Sequence, residues 1–308
     1  MNLSVIIPTY NPNLDNLGRT LAALNNQTLP FDQWELIIID NNSAFSLINQ
    51  INIAWHPNAS IISEPKQGLT WARLAGFSKA RGEFIVMVDD DNILNNNYLE
   101  WAVKVFEENK HLGAAGGKSI PIFDHVPPEW LAGFHQCLAI RDLGNHEMLE
   151  HWTNTYPVWA PIGAGMVIRK QSLQVYIDKA TSSNNVVKDR TGTSLSSGGD
   201  NDIVLEIIQA GWQVGYFPEM ILTHVIPKQR WESSYLARLI NNSNKSWVQV
   251  LAKHHINPWK AISPWTLLPR KAKAWFTYKA WKSDEHFIRW RGACGLFDGL
   301  AAVKNETA

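Results

Sequence analysis

Up to residue 118 the chain alternates between short, mainly apolar runs and longer stretches with helical spacing. The runs are Leu3 to Ile7, Trp34 to Ile39 and Phe84 to Val88, with a weaker one at Ser60 to Ser63. Runs of this length bounded by turn residues read as strands buried on both faces. Between them, Asn16 to Asn26 sets Leu17, Leu21 and Leu24 at helical spacing, and Gly68 to Ala80 carries small residues at Ala72, Ala75 and Ala80 that allow close packing. Strands alternating with helices predict an α/β fold with a mainly parallel, doubly wound sheet.

Three of the runs end in polar residues: Thr9-Tyr10-Asn11, Asp40-Asn41-Asn42 and Asp89-Asp90-Asp91. Parallel strands bring such ends to one edge, which is where open α/β sheets bind ligands. Three adjacent carboxylates repel one another unless they are solvated or hold a hard divalent cation. Mg²⁺ is commonly held by one or two carboxylates together with substrate phosphates. The triplet therefore suggests a metal and a phosphate-bearing substrate; a solvated acidic turn or helix cap is the alternative.

Beyond residue 118 the pattern loosens. Pro121, Pro127, Pro128, Pro157 and Pro161 divide it into short pieces, and Ser182 to Gly199 reads as a mobile polar loop. Asp202 to Gln209 predicts a helix with Ile203, Ile207 and Ile208 inward and Gly211 as its cap. A strand-like run from Trp212 to Phe217 is followed by Pro218.

Composition narrows the classes. The chain has 308 residues, 45% of them hydrophobic, enough for a sizeable core. Lys plus Arg and Asp plus Glu balance at 28 each, which argues against nucleic-acid binding driven by bulk charge. Cys137 and Cys294 do not make a disulfide framework, and a reducing compartment follows. No apolar run is long enough to span a bilayer, and Met1 to Ser4 lacks the basic start of a secretory signal. A cytoplasmic protein is expected. No G-x-G-x-x-G follows the first strand, which disfavours a dinucleotide-binding dehydrogenase.

The ordered set of motifs resembles family 2 glycosyltransferases of the GT-A fold over about residues 3 to 226, and less closely their bacterial exopolysaccharide-type members. Ser4-Val5-Ile6-Ile7-Pro8-Thr9-Tyr10-Asn11 resembles the first strand and nucleotide-contacting turn, and Leu36 to Ser43 the second. Gly68 to Arg73 resembles the diphosphate-side loop and helix. Arg81 to Asp91 resembles the strand with its metal motif. Gly198-Gly199-Asp200-Asn201-Asp202-Ile203 resembles the segment with the catalytic base, and Pro218-Glu219 with His224 the strand that closes the site. Asn41 departs from the pattern, since the family usually has a second Asp there to accept the uracil N–H. An Asn carbonyl still accepts one bond but loses the charge assistance.

The resemblance implies a Rossmann-like, mostly parallel mixed sheet flanked by helices. It divides the chain into a nucleotide-sugar half at 1–118, an acceptor and catalytic-base half at 119–228, and a helical extension at 229–308. It implies transfer of a sugar from a nucleotide-diphosphate donor, a UDP-sugar first, to a hydroxyl of a saccharide or lipid-linked saccharide, with inversion and with Mn²⁺ or Mg²⁺, in surface polysaccharide synthesis. Pro8, Thr9, Tyr10, Asn11, Asp40, Asn41, Asp89 and Asp90 would hold the nucleoside side of the donor, with Arg73 on the diphosphate. Asp91, with Asp89 and His224, would hold metal. Asp200 would be the general base, with Asp202 its rival and a plain helix cap the alternative role. Gly163, Ala164, Gly165 and Trp159 would meet the sugars; a tight turn for the first three and core packing for Trp159 are the alternatives. A non-catalytic nucleotide-sugar or carbohydrate-binding module on the same fold is the other functional class.

The C-terminal stretch 259–291 interleaves aromatic side chains, among them Trp265, Phe276 and Trp281, with Lys and Arg. That mixture suits a peripheral contact with the inner face of the plasma membrane, where a lipid-linked acceptor would lie, or a helical subdomain packed on its own aromatics.

Overall fold

A computed structural model describes residues 1–182, 190 and 197–303. The expected loop at Ser182 to Gly199 lies mostly outside the described residues. By internal contacts the chain divides into two compact units. Met1–Ile122, Ala139–Val186 and Ile203–Val225 form the first, and Phe123–Leu138, Val187–Asp202 and Ile226–Ala308 the second.

The first unit opens with β1 (Leu3–Thr9), α1 (Leu14–Asn25), β2 (Trp34–Asp40), β3 (Ala59–Ser63), α2 (Leu69–Lys79) and β4 (Phe84–Met87). These match the apolar runs and helical stretches read from the sequence. Then come β5 (Asn92–Leu94), α3 (Tyr98–Glu108), β6 (Leu112–Phe123), β7 (Met148–Glu150), β8 (Val167–Arg169), α4 (Lys170–Ser182), α5 (Gly199–Gln209) and β9 (Gln213–Ile226). Among the described residues nine strands make one sheet in the order β3-β2-β1-β4-β8-β6-β9-β5, with β7 paired to β9. The first four strands in this order are parallel, and β4–β8, β6–β8, β5–β9 and β7–β9 pair antiparallel.

Successive side chains of the central strands feed two cores. Val5, Leu36, Ile38 and Val86 meet Leu17, Leu21 and Leu24 of α1 and Leu99, Ala102 and Phe106 of α3. Ile6, Ile37, Ile39, Ile85 and Met87 meet Ala72 and Phe77 of α2, Leu173 and Tyr176 of α4, and Ile203, Ile207 and Ile208 of α5. The period of two along each strand thus covers both faces of the sheet with helices.

Two prolines do not break the chain where the sequence suggests. Strand β6 runs through Pro121, and β9 continues through Pro218 for eight more residues. Pro218 falls between the stretch of β9 paired with β7 (Val214 to Tyr216) and the stretch paired with β5 (Leu222 to His224). A residue with no N–H to donate is tolerated in such a gap.

The second unit carries α6 (Ser233–Lys253), α7 (Leu267–Thr277) and α8 (Asp284–Ala302). Helices α6 and α8 approach closely along Gly292, Gly295 and Gly299. A Cβ on Gly295 would sit 2.0 Å from the carbonyl oxygen of Asn241. Asn241 and Asn244 donate side-chain bonds to the carbonyls of Arg291 and Gly292 across the same seam.

Candidate active site

The parallel register sets the polar strand ends beside one another. Thr9 of β1 is paired with Asp40 of β2, and Pro8 with Ile39. The Thr9 hydroxyl donates to the Asp90 carboxylate, tying the end of β1 to the acidic triplet. Asn11 takes a left-handed conformation (φ 47°) that asparagine tolerates. Its N–H donates to Ser43 Oγ at 2.9 Å, while its Oδ1 accepts the Ala44 N–H at 2.8 Å. The Ser43 N–H in turn donates to Asp40 Oδ1 at 3.0 Å. The turns after β1 and β2 are laced into one wall, with Tyr10 exposed at its rim.

Asn41 is 3% exposed and its amide is engaged on both ends. Nδ2 donates to the carbonyls of Glu64 (3.0 Å) and Lys66 (2.8 Å), and Oδ1 accepts the Gly68 N–H at 2.7 Å. An Asp here would set a carboxylate against two carbonyl oxygens. The departure from the family pattern therefore fits what surrounds it: the amide fastens the 64–68 loop to the end of β2. Arg73 is buried on α2 rather than solvated, and Lys66 lies over the Trp71 ring with its Nζ 3.2 Å from the centroid.

Asp89, Asp90 and Asp91 leave β4 half-buried and are held by the residue that follows them. Asn92 is fully buried. Its Oδ1 accepts the Asp89 N–H at 3.2 Å and its Nδ2 donates to Asp91 Oδ1 at 3.0 Å. Asn92 is also the cross-strand partner of His224, and the Val225 N–H donates to the Asp91 carbonyl at 3.0 Å. This pairing puts His224 Nε2 3.4 Å from Asp91 Oδ2. The imidazole is 4% exposed, and among the described residues its Nδ1 finds no hydrogen-bond partner. A carboxylate oxygen and a buried imidazole nitrogen converging at this distance fit a divalent cation such as Mn²⁺, with Asp91 and His224 as ligands and Asp89 adjacent.

Gly165 supplies a turn that only glycine adopts easily, at φ +73°. A Cβ there would lie 2.5 Å from Leu222 Cδ2 and 2.6 Å from the Tyr98 hydroxyl, which donates to the Gly165 carbonyl at 2.5 Å. Burial pushes the Tyr98 hydroxyl far above the usual phenol range, so it stays a neutral donor. Gly163 and Ala164 are buried beside it. Trp159 is half-buried, and its N–H donates to Glu150 Oε2 at 3.0 Å.

Asp200 and Asp202 lie in the first turn of α5, whose helix begins at Gly199, three residues before the start expected from the sequence. Asp200 is half-buried. Asp202 is 1% exposed and is held by Lys253 Nζ, at 2.7 and 2.8 Å to its two oxygens, and by His254 Nε2 at 2.7 Å. Of the two rival bases, the buried one is already bonded to Lys253 and His254.

Asn92 and Tyr98 are not among the residues singled out from the sequence. Asn92 adjoins the triplet, and a polar residue immediately before the apolar pair Ile93-Leu94 was the signal available for it. Tyr98 gave none, because its partner is a backbone carbonyl 67 positions away.

The profile of glycosyl transferase family 2 matches residues 4–176, more than half of the chain. The chain belongs to glycosyl transferase family 2. Among curated members, a glucosyl-dolichyl phosphate glucuronosyltransferase of Haloferax volcanii is 24% identical over 165 residues, 51% of this chain and 50% of that protein. The amylovoran biosynthesis glycosyltransferase AmsB of Erwinia amylovora is 24% identical over 157 residues, 49% of this chain and 50% of that one. This glycosyltransferase thus spans about half the length of these two relatives. Residues 1–349 of Staphylococcus aureus TarS, solved with UDP-GlcNAc, superpose with a TM-score of 0.54 at 14% identity, covering 98% of this chain and 90% of that one. The fold of the enzyme is the GT-A type that the sequence motifs imply.

Proposed function

We propose that this glycosyltransferase is metal-dependent and inverting, and moves a sugar from a UDP-sugar to a hydroxyl of a saccharide or lipid-linked saccharide during surface polysaccharide synthesis. The observation that carries the reading is the convergence of Asp91 and His224 at the strand edge where Thr9 and Asp90 are bonded. TarS, whose fold this chain shares, was solved with a UDP-sugar, and AmsB is named for polysaccharide synthesis. Residues 1–118 bind the donor, and residues 119–228 carry the acceptor side and the base. A lipid-linked acceptor places the enzyme on the cytoplasmic side, at the membrane surface.

In this reading Thr9, Tyr10, Asn11 and Asp40 hold the nucleoside, with Asp89 and Asp90 on the ribose side. Arg73 serves the diphosphate. Asp91 and His224 would hold a divalent cation, which would supply positive charge beside the leaving diphosphate. The acceptor oxygen forms a bond to the anomeric carbon as the bond from that carbon to the diphosphate oxygen breaks, and the acceptor proton passes to the Asp200 carboxylate. Asp200 suits this role because its carboxylate is half-buried in the first turn of α5, on the segment that resembles the family's base motif.

The test is nucleotide release from UDP-, GDP- and dTDP-sugars with Mn²⁺, with Mg²⁺ and with EDTA, read beside thermal shifts on the same panel. Metal-dependent release from a UDP-sugar is expected. A binding module would show the thermal shift with no release, and Asp200→Asn would leave its affinity unaltered.

A further inference from the structure

Helix α7 has an inner and an outer face of opposite character. Its inner face packs on α8. The Trp275 and Trp290 rings meet edge to face at 4.8 Å, Trp290 Nε1 donates to the Lys271 carbonyl at 3.0 Å, and Lys271 pairs with Asp298 at 2.6 Å. Ala274 is the buried residue of the helix. The outer face is apolar and uncovered. Trp265 is 92% exposed, Leu268 81% and Phe276 68%. With Ala272 they follow one another at intervals of three, four and four, the spacing of a single helical stripe. Trp281, 59% exposed, extends the stripe past the helix end, with its ring 5.9 Å from that of Phe276.

Charge sets the identity of the occupant. From Ile256 to Ser283 the chain carries Lys260, Arg270, Lys271, Lys273, Lys279 and Lys282, and no Asp or Glu. A second copy docked face to face would set this basic patch against itself. An anionic bilayer surface offers what both components need: acyl boundary for Trp, Leu and Phe, and headgroup charge for the lysines.

We infer that the outer face of α7, from Trp265 to Trp281, is a docking surface for anionic phospholipid. Trp265, Leu268, Phe276 and Trp281 enter the interface, and Lys273, Lys279 and Lys282 lie against the headgroups. This deepens the lipid-linked acceptor reading above. It is tested without donor or turnover, so the two can fail separately.

The experiment is flotation of the full chain with phosphatidylcholine vesicles, plain or containing one third phosphatidylglycerol. Wild type should float with the anionic vesicles and not with the neutral ones. Replacing Lys273, Lys279 and Lys282 by Gln should weaken binding on the order of a hundredfold, at about fivefold per charge. The variant Trp265→Ser, Leu268→Ser, Phe276→Ser should lose at least about tenfold. Its melting curve should match wild type because the replaced side chains are exposed. Equal flotation of that variant and wild type overturns the proposal, as does absence of wild-type binding. A wild-type dimer in gel filtration that the Ser variant dissociates, without vesicle binding, assigns the face to a second copy instead. Tighter retention by an oligonucleotide than by anionic vesicles overturns it as well.

Discussion

Lys253 reaches both carboxylate oxygens of Asp202, at 2.7 and 2.8 Å, and His254 closes on the same group from beside it. Asp200, two residues earlier in the same helical turn, is the half-buried member of the pair. Asp202→Asn should lower stability by about 3 kcal/mol, since it leaves Lys253 without its counter-charge and the buried His254 ring without its carboxylate partner. Asp200→Asn should cut kcat by about 10²- to 10⁴-fold with the melting temperature near wild type. Thermal melts and single-donor turnover of the two variants read this directly. The opposite pattern would exchange their roles.

Asn92 should matter as much as a ligand. Its side chain spans the Asp89 N–H and the Asp91 carboxylate. Loss of a group that orients a ligand commonly costs about 10- to 100-fold in metal affinity. Asn92→Ala should show that loss in a Mn²⁺ titration followed by thermal shift. Unchanged affinity would mean that Asp91 is positioned by its backbone bond to Val225 alone.

Gly165→Ala should destabilise the enzyme by about 2 kcal/mol or more, combining a strained positive φ with an overlap against Leu222 and Tyr98. The midpoint of urea unfolding checks this. A midpoint equal to wild type would show that the turn adapts.

His56 gives the enzyme an acid-sensitive spot away from the site. It is packed against Trp34, with ring centroids 4.1 Å apart, and against Phe31 and Trp55. Burial lowers its pKa from 6.5 to about 4, partly offset by Glu35. The unfolded chain takes up this proton near pH 6.5, while the folded chain resists until about pH 4. Its contribution is therefore whole above pH 6.5 and is lost progressively as pH falls toward 4. His56→Gln, which keeps an acceptor for the Asn58 N–H, should flatten the decline of melting temperature across that window.

The elements legible in the sequence are those whose side chains face one kind of surroundings. β1, β2 and β4 are buried on both faces and so appear as mainly apolar runs, interrupted only by Ser4 and Glu35, which bond to each other. β6 alternates toward its exposed end and β9 between buried and half-buried residues from Glu219 to Thr223, and both contain prolines, so their length is hidden; β5 is three residues long. Helix α3 repeats Leu99, Ala102, Val103 and Phe106 at helical spacing, a pattern as legible as that of α1. At the site, the acidic triplet is visible because its members adjoin. The reason for Asn41 is not visible, because it lies in carbonyls 23 and 25 residues further on.

The bond between Val225 and Asp91 bears on the order in which the enzyme is made. Asp91 emerges from the ribosome 134 residues before Val225 (225 less 91), and the three-residue pairing of β5 with β9 closes that whole loop. Closing a long loop is entropically costly and slow relative to local structure. The parallel strands β1, β2 and β4 can assemble early, whereas Asp91 and His224 are brought together only once β9 docks. Metal affinity should accordingly be the last native property to appear on refolding, after the bulk of the helical signal has returned.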